Sequence, residues 1–216
     1  MKFLAFADIH GSYERVDQII QLHRGIDGII IGGDLTTYGL PEEGERAIRS
    51  FQNNGVPVFA VAGNLDSPEF DRSQAETGVS INAQGRMLGA IGLFGVSGSP
   101  FTPLHTPYEI EEEEIARRAE TGWADISAAR WKIFVPHAPP RDTALDKLTL
   151  GKHVGSTAVR AFIEQRQPDV VVCGHIHEAR GLDTIGKTRI VNCGPAGKGY
   201  YAIVEIGEEI SIETCG

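Results

Sequence analysis

Seven side chains of metal-ligand type follow short apolar runs at five places in the sequence. They are carboxylates, imidazoles and one carboxamide, carried by Asp8, His10, Asp34, Asn64, His137, His175 and His177. A single residue of this kind is often a turn or capping residue. A group of them crowded together would be costly to bury unless the side chains were paired or metal-bound. The pattern therefore predicts a metal site, and seven ligands suit two ions better than one.

The spacing of these residues indicates which of them the two ions would share. Asp8 and His10 lie two positions apart, as do His175 and His177, so each pair can point to one side of an extended turn. Two divalent ions about 3.5–4 Å apart repel each other and need an anion between them. A carboxylate bridges readily, whereas an imidazole or a carboxamide does not. Asp34, which stands alone after the second run, is therefore the predicted bridge, with a hydroxide as the second.

The apolar runs themselves predict the elements that position these ligands. They lack polar alternation, which is typical of strands buried on both faces of a sheet that helices cover. The runs span residues 3–7, 29–31, 56–61, 133–135 and 170–172. Open α/β sheets bind their ligands beyond the carboxyl ends of the strands. We therefore expect the seven side chains to converge on one rim.

The rest of the chain predicts helices, short strands and one extended loop. Helices are predicted over 13–23, from Pro41 to about Asn54, from Glu109 to about Thr121, and over roughly 156–166. Residues 79–96 indicate shorter strands, and 97–108, with three prolines, a loop that is the best candidate for a substrate lid. From Gly181 onward the pattern is strand-like and antiparallel in character, which predicts a second sheet packed on the first. No domain boundary is visible, so residues 1–216 are expected to form a single α/β domain.

Composition and net charge indicate which kinds of binding partner are expected for this chain. The chain of 216 residues is 41% apolar and 23% charged, and its net charge is 20 minus 29, or -9. Without a basic face, duplex nucleic acid held through many phosphate contacts is not expected. A phosphorylated substrate remains compatible, because bound cations would supply positive charge locally. The sequence lacks signal-peptide features, a bilayer-spanning run and a C-x-x-C pair, so the cytoplasm is the expected location and a membrane partner is not expected.

The ordered ligand blocks resemble the signature of the calcineurin-like metallophosphoesterases, D-x-H, G-D, G-N-H-[DE], H and G-H-x-H. In this chain the blocks are Asp8-Ile9-His10, Gly33-Asp34, Gly63-Asn64-Leu65-Asp66, His137 and Gly174-His175-Ile176-His177. Residues 137–140, 155–156 and 192–195 look like the small bacterial and archaeal branch of that family. The resemblance implies a four-layer α/β/β/α sandwich. It implies one metal held by Asp8, His10, Asp34 and His177, and a second held by Asp34, Asn64, His137 and His175.

The resemblance also implies an activity. It is the hydrolysis of a phosphodiester or phosphomonoester by a metal-bridging hydroxide, with Asp34, Asn64 and His137 at the reaction centre. Mixed His, Asp and Asn sites accept Mn²⁺, Fe, Zn²⁺ or Co²⁺. The expected partner is a small phosphorylated substrate, with nucleotide-like molecules among the candidates. The alternative is a non-catalytic binding or scaffold protein on the same fold, but such proteins lose ligands that this chain retains.

One departure from the family pattern concerns the leaving group. The third block usually carries histidine after asparagine, as a proton donor, whereas this chain has Leu65, which cannot donate. General acid catalysis is typically worth about 10²–10⁴-fold, so the change mildly favours diesters. Asp66 is expected to orient a ligand, and His105 and His153 are candidate replacement donors. Candidate substrate contacts are Asn64 and Arg141, which follows His137 in a loop.

Overall fold

Two β-sheets stack face to face in the computed structural model, which describes residues 1–216. The first sheet has the strand order β11-β10-β1-β2-β3. Its strands are β1 (Lys2–Phe6), β2 (Gly28–Gly32), β3 (Val58–Val61), β10 (Tyr201–Ile206) and β11 (Ile210–Cys215). The strands β1, β2 and β3 are parallel, and β10 joins the free edge of β1 in the antiparallel direction.

The second sheet has six strands in the order β4-β5-β6-β7-β9-β8. They are β4 (Gly85–Leu88), β5 (Ile91–Val96), β6 (Trp131–Pro136), β7 (Val170–Cys173), β8 (Gly181–Ile185) and β9 (Thr188–Asn192). The inner strands β5, β6, β7 and β9 are parallel, and the two edge strands are antiparallel to their neighbours. This sheet therefore also presents the carboxyl ends of several parallel strands on one side.

Five helices cover the outer faces of the two sheets. They are α1 (Tyr13–Leu22), α2 (Pro41–Gln52), α3 (Pro68–Glu76), α4 (Glu112–Asp125) and α5 (Thr157–Arg166). Buried residues of α1, α2 and α3, such as Ile20 and Phe51, pack on the outer face of the first sheet. Those of α4 and α5, such as Ile115 and Phe162, pack on the second. The result is the predicted α/β/β/α sandwich.

The inner faces of the two sheets share one apolar core, which explains the unbroken apolar runs. Side chains alternate between faces along a strand, so Phe3 and Ala5 of β1 point toward the second sheet while Leu4 and Phe6 point toward the helices. Both faces of β1 are buried from Phe3 to Phe6, and none of these positions favours a polar side chain. The first polar positions come only where the strand ends.

Two expectations about the sheets were wrong. The five ligand-bearing runs lie in two sheets rather than one, since the first three form β1–β3 and the last two form β6 and β7. The strands after Gly181 do not make a sheet of their own. Instead β8 and β9 extend the second sheet, where β9 pairs in parallel with β7, and β10 and β11 extend the first. Each pair covers an edge that would otherwise expose unpaired backbone groups.

Some helix boundaries also differ from the prediction. The helix α3 was not predicted, because only Phe70 among its residues is a buried large apolar side chain. Pro68 begins it, and the Ser67 side chain accepts a hydrogen bond from the N–H of Phe70. The helix α4 begins at Glu112 and ends at Asp125, later than expected at both ends. None of the five helices has the length and apolar character needed to cross a bilayer.

Candidate metal centre

The carboxyl ends of strands from both sheets meet at one edge of the sandwich. Asp8 and His10 follow β1, Asp34 follows β2 and Asn64 follows β3 in the first sheet. The second sheet contributes His137 after β6, and His175 and His177 after β7. The two sets interlock directly, since the N–H of His175 donates to both carboxylate oxygens of Asp8 at 3.0 Å. The structure therefore brings all seven predicted ligands together.

The first ligand group consists of Asp8, His10 and His177. Their ligand atoms lie within 4.8 Å of one another, as a bound cation requires. The Nε2 atoms of His10 and His177 are 3.2 Å apart, and the His177 Nε2 is 3.7 Å from Asp8 Oδ1. Two imidazole nitrogens and a carboxylate converging in this way fit a divalent cation of intermediate softness.

The second ligand group lies deeper in the protein. It contains Asp8, Asp34 and His137, all buried, again with ligand atoms within 4.8 Å of one another. Asn64 Oδ1 lies 2.9 Å from His137 Nε2 and 2.8 Å from His175 Nδ1. This carboxamide oxygen thus faces two imidazole nitrogens. The donor set of two carboxylates, an amide oxygen and two imidazoles fits a second divalent cation.

Asp34, a member of the second ligand group, also faces the first group. Its Oδ2 atom is 3.9 Å from His10 Nε2 and 3.5 Å from His137 Nε2, so a single oxygen faces both groups. Its other oxygen, Oδ1, accepts a hydrogen bond from the N–H of Leu65 at 2.8 Å. That bond sets the orientation of the carboxylate. Asp8 also belongs to both groups, a shared position that spacing in the sequence did not indicate.

In His137 and His10, a hydrogen-bond partner holds one ring nitrogen on the side away from the metal centre, so that the other nitrogen faces the centre. His137 Nδ1 lies 2.8 Å from the carbonyl oxygen of Gly32, so it carries the proton and leaves the Nε2 lone pair free. His10 Nδ1 lies 2.9 Å from Thr37 Oγ1, and its Nε2 likewise faces the centre. His175 differs, since its Nδ1 is the atom close to Asn64.

Neighbouring groups shift the pKa values of the two buried central carboxylates in opposite directions. At Asp34, burial together with the charges of Asp66 and Asp8 raises the pKa well above its ordinary value. At Asp8, burial also opposes ionisation, but the nearby imidazole of His177, the charge of His137 and the N–H of His175 outweigh it and lower the pKa. An ionised Asp34 is thus unfavourable in the protein alone and would be stabilised by a nearby cation.

The deep imidazoles are held neutral. Burial lowers the pKa of His137 below its ordinary value, and burial together with the neighbouring His137 lowers the pKa of His175 to about 3. Their lone pairs are therefore free at neutral pH. No proton has to leave before these two side chains bind a metal ion.

Asp66 holds the two turns that carry Asp34 and Asn64. Its buried carboxylate accepts hydrogen bonds from the N–H groups of Leu35, Thr36 and Gly63 at 2.8–3.1 Å. The hydroxyl of Thr36 donates to it as well, at 2.9 Å. The carboxylate contacts none of the seven ligand side chains in these hydrogen bonds. Asp66 is therefore placed to orient ligands through the backbone.

Two glycines of the ligand blocks, Gly33 and Gly63, are required because any side chain at these positions would clash with a ligand residue. A Cβ atom on Gly63 would lie 2.1 Å from Asp34 Oδ1, and one on Gly33 would lie 2.5 Å from His137 Nδ1. Four ligands, Asp8, His10, Asp34 and His175, have φ between 47° and 69°. Non-glycine residues adopt this left-handed region rarely, and such backbone strain concentrates at functional sites.

Thr106 of the 97–108 loop and Glu109, which directly follows this loop, support the site although the sequence did not indicate them. Asn64 Nδ2 donates to Thr106 Oγ1 at 3.1 Å, and this hydroxyl donates to Glu109 Oε1 at 2.7 Å. This chain fixes the carboxamide so that its oxygen, rather than its nitrogen, faces the imidazoles. The N–H of Tyr108 also donates to the Asn64 carbonyl, so the predicted lid is attached to the turn after β3.

A cavity of about 720 Å³ adjoins the ligand groups. Asn64, His175 and His177 form its metal-side wall, and Phe101 and Leu104 of the 97–108 loop form an apolar one. Its charged lining consists of Arg141, Lys152, His153, Glu111, Glu112 and Glu178. Two of the predicted residues, Arg141 and His153, thus reach the cavity. His105 does not line it and is exposed on the loop.

Comparisons with known proteins extend over most of the chain. The sequence model of the calcineurin-like phosphoesterases matches residues 1–179, which include all five ligand blocks. The chain is also similar to the uncharacterized protein MJ1162 of Methanocaldococcus jannaschii. The two are 32% identical over 206 residues, which cover 93% of this chain and 90% of that protein.

Solved structures share the fold at low identity. The protein TT1561 of Thermus thermophilus is similar with a TM-score of 0.79 and 18% identity, covering 99% of this chain and 97% of that one. A dimetal phosphatase from Danio rerio is similar with a TM-score of 0.67 and 9% identity, covering 99% and 95%. At these identities the likeness establishes the fold alone.

Proposed function

Because the chain belongs to the calcineurin-like phosphoesterase family, we propose that it is a dinuclear metal-dependent phosphoesterase acting on a small phosphorylated substrate. The observation that carries the proposal is the position of Asp34 Oδ2, 3.9 Å from His10 Nε2 and 3.5 Å from His137 Nε2. An anionic oxygen between two ligand groups is suited to bridging two cations. The similarity in fold to a protein described as a dimetal phosphatase supports the same proposal.

The proposed ligand sets share Asp34 between the two ions and assign Asp8 to the first ion alone. One ion would be held by Asp8, His10, Asp34 and His177, and the other by Asp34, Asn64, His137 and His175. When bound, such ions would neutralise charge on the phosphoryl oxygens and would lower the pKa of a coordinated water toward neutrality. The residues of the chain hold this arrangement in place: His175 N–H orients Asp8, Leu65 N–H orients Asp34, and Thr106 orients Asn64.

The cavity favours a phosphodiester over a phosphomonoester. Its lining carries the three carboxylates Glu111, Glu112 and Glu178 beside two permanent cations, Arg141 and Lys152. A diester carries one negative charge near neutral pH, whereas a monoester dianion would meet more repulsion from these carboxylates. The volume of about 720 Å³ and the apolar wall leave room for an organic group of nucleotide size. Asn64 and Arg141 are the proposed phosphate contacts.

Metal removal tests the proposed activity. Protein stripped with a chelator is expected to be inactive, and Mn²⁺ is expected to restore hydrolysis of bis(p-nitrophenyl) phosphate as about two ions bind per chain. Hydrolysis of p-nitrophenyl phosphate should be slower. The measurement is p-nitrophenol release during a Mn²⁺ titration followed in parallel by elemental analysis. Hydrolysis of neither ester in the metal-loaded protein would refute the proposal, and two bound ions without hydrolysis would favour a non-catalytic binding protein instead.

The raised pKa of Asp34 predicts how the stabilisation of the folded protein by bound Mn²⁺ depends on pH. Since this pKa is raised above the ordinary value of 3.8, folded protein without metal binds the proton more tightly than the unfolded chain. The resulting stability is present below 3.8 and is lost as the pH rises through the raised pKa. Above it, a cation stabilises the buried anion without displacing a proton. The gain in Tm from Mn²⁺ is therefore expected to be larger at about pH 8 than at about pH 5.

Thermal unfolding with and without Mn²⁺ at the two pH values measures this difference. The variant Asp27→Asn, altered at the opposite end of β2 from Asp34, should keep the wild-type pH dependence, because Asp27 is exposed. Equal gains in Tm at both pH values in the wild type would contradict the assignment of a raised pKa to Asp34.

A further inference from the structure

Departure of an alkoxide or phenoxide from phosphorus is assisted by a proton, and the ligand groups offer no obvious donor. The chain has seven histidines, and four of them, His10, His137, His175 and His177, lie in the ligand groups with nitrogens facing the proposed ions. His23 pairs with the hydroxyl of Tyr201 at 2.9 Å, away from the cavity. His105 also lies outside the cavity lining. His153 is the one remaining imidazole, and it lines the cavity together with Asn64, His175 and His177.

A short folded-back loop presents His153 to the cavity. The N–H of Val154 donates to the carbonyl of Asp146, and the N–H of Leu148 donates to the carbonyl of Lys152. These bonds place His153 opposite Lys147, in an isolated antiparallel bridge. The side chain of His153 is 32% exposed, so one part of the ring is held by protein and another is accessible to a ligand.

The protein side of the ring is held by a fully buried carboxylate. Asp146 Oδ1 lies 2.6 Å from His153 Nδ1, and the exposure of the Asp146 side chain is 0%. The same carboxylate accepts from the N–H groups of Thr143 and Gly155 at 3.0 and 2.9 Å. It is therefore fixed from several sides, and the imidazole is fixed with it.

The carboxylate determines which nitrogen of His153 is available. Burial opposes ionisation of Asp146, but the hydrogen bonds from His153, Gly155 and Thr143 outweigh it and lower the pKa of that carboxyl. An ionised partner at 2.6 Å holds the Nδ1 proton on the ring. The second ring nitrogen, Nε2, is then left without a hydrogen-bond partner in the protein and is free for a ligand, as in other carboxylate-oriented imidazoles.

We propose that His153, oriented by Asp146, is the general acid that protonates the leaving oxygen of the substrate. This inference rests on the proposed phosphoesterase function. A hydroxide derived from water forms the new bond to phosphorus, and the bond from phosphorus to the leaving oxygen breaks with its electron pair on that oxygen. The Nε2 proton of His153 moves to the same oxygen. Solvent then returns a proton to Nε2, which balances the proton lost by the attacking water.

Other titratable groups face the same cavity but are less suited to this role. Glu112 is engaged at the start of α5, where it accepts from the Ser156 hydroxyl and the N–H groups of Thr157 and Ala158. Arg141 does not give up its proton in proteins. Glu178 accepts from Thr149, and Glu111 is exposed at the cavity margin. Lys152, next to His153, is the competing donor that an experiment has to separate.

The test uses the dependence of rate on the leaving group. Metal-loaded wild type and His153→Gln are compared on aryl methyl phosphodiesters whose leaving phenols range from unsubstituted phenol to 2,4-dinitrophenol. For the phenol ester, kcat/KM of the variant is expected to fall by about 10²–10⁴-fold, the usual contribution of a general acid. For the dinitrophenol ester, whose leaving group needs no proton, it should fall far less. A plot of log kcat/KM against leaving-group pKa should therefore become steeper.

Control variants separate this role from a structural one. His105→Gln is the matched control and should keep the wild-type slope, and Asp146→Asn should steepen it less than His153→Gln does. Mn²⁺ binding and Tm of His153→Gln should match the wild type. The inference would be overturned if His153→Gln kept the wild-type slope of log kcat/KM against leaving-group pKa, or if its kcat/KM fell equally for all esters. It would also be overturned if Lys152→Met, instead of His153→Gln, gave the steeper slope. Wild type inactive on every ester would refute the proposed function itself, and the inference with it.

Discussion

Substituting asparagine for Asp34 is expected to abolish binding of the metal pair. Loss of a residue that only hydrogen-bonds to a metal ligand costs roughly 10–100-fold in affinity or activity. Because Asp34 is itself a proposed ligand, phosphodiester hydrolysis should fall by more than that. The carboxamide has nearly the same size as the carboxylate but carries no charge. It therefore cannot offset the repulsion between two divalent ions about 3.5–4 Å apart. Bound Mn²⁺ per chain, measured by elemental analysis, should fall from about two toward one or none.

The same substitution should make the metal-free protein more stable. In the wild type, burial and the charges of Asp66 and Asp8 oppose ionisation of Asp34, and asparagine removes that unfavourable charge. Urea unfolding without metal should show a higher midpoint for Asp34→Asn than for wild type, and the Asp27→Asn control should lie close to wild type. Two ions bound to Asp34→Asn with wild-type affinity would contradict the bridging role.

Replacing Gly63 by alanine is expected to disrupt the site by steric conflict alone. The added Cβ would lie 2.1 Å from Asp34 Oδ1 and 2.3 Å from the Asp34 backbone nitrogen, so the turn after β2 or the turn after β3 has to move. Overpacking of this kind typically costs about 1–3 kcal/mol of stability. A displacement of about 1 Å at a reaction centre can cost about 10²-fold in rate. We therefore expect lower values for Tm, Mn²⁺ affinity and kcat/KM together.

Gly207→Ala provides the matched control for this substitution. Its added Cβ would have as its nearest neighbour the carbonyl oxygen of Glu209 at 3.8 Å, an ordinary contact. This variant should retain wild-type Tm and activity. A Gly63→Ala protein with wild-type metal affinity and kcat/KM would show that the two turns are less tightly apposed than the structure has them.

The clustering of the seven candidate ligands could be predicted from the sequence because these residues directly follow strand ends. Strands buried on both faces leave no room for polar side chains, so the first polar residues after β1, β2, β3, β6 and β7 stand out. The family signature then added the layered fold, which the matches over residues 1–179 and the two-sheet architecture confirm. A buried strand followed by a polar residue is a local pattern, so it can be recognised in the sequence without knowing which distant segments it contacts.

Features that depend on distant contacts could not be predicted. The strands β8 and β9 and the strands β10 and β11 have similar patterns, and only the available sheet edges decide which sheet each pair joins. The Thr106–Glu109 support of Asn64 arises because the 97–108 loop lies across the turn after β3. Choosing His153 over His105 likewise requires knowing which of the two side chains lines the cavity, since the loops that carry them both reach it.

The measurement that tests the central claim most directly is an anomalous difference map from crystals of the protein loaded with Mn²⁺. We predict two peaks about 3.5–4 Å apart, with an Asp34 oxygen coordinating both. One peak should also contact Asp8, His10 and His177, and the other Asn64, His137 and His175. A single peak, or two peaks with Asp34 coordinating neither, would contradict a dinuclear centre bridged by this aspartate.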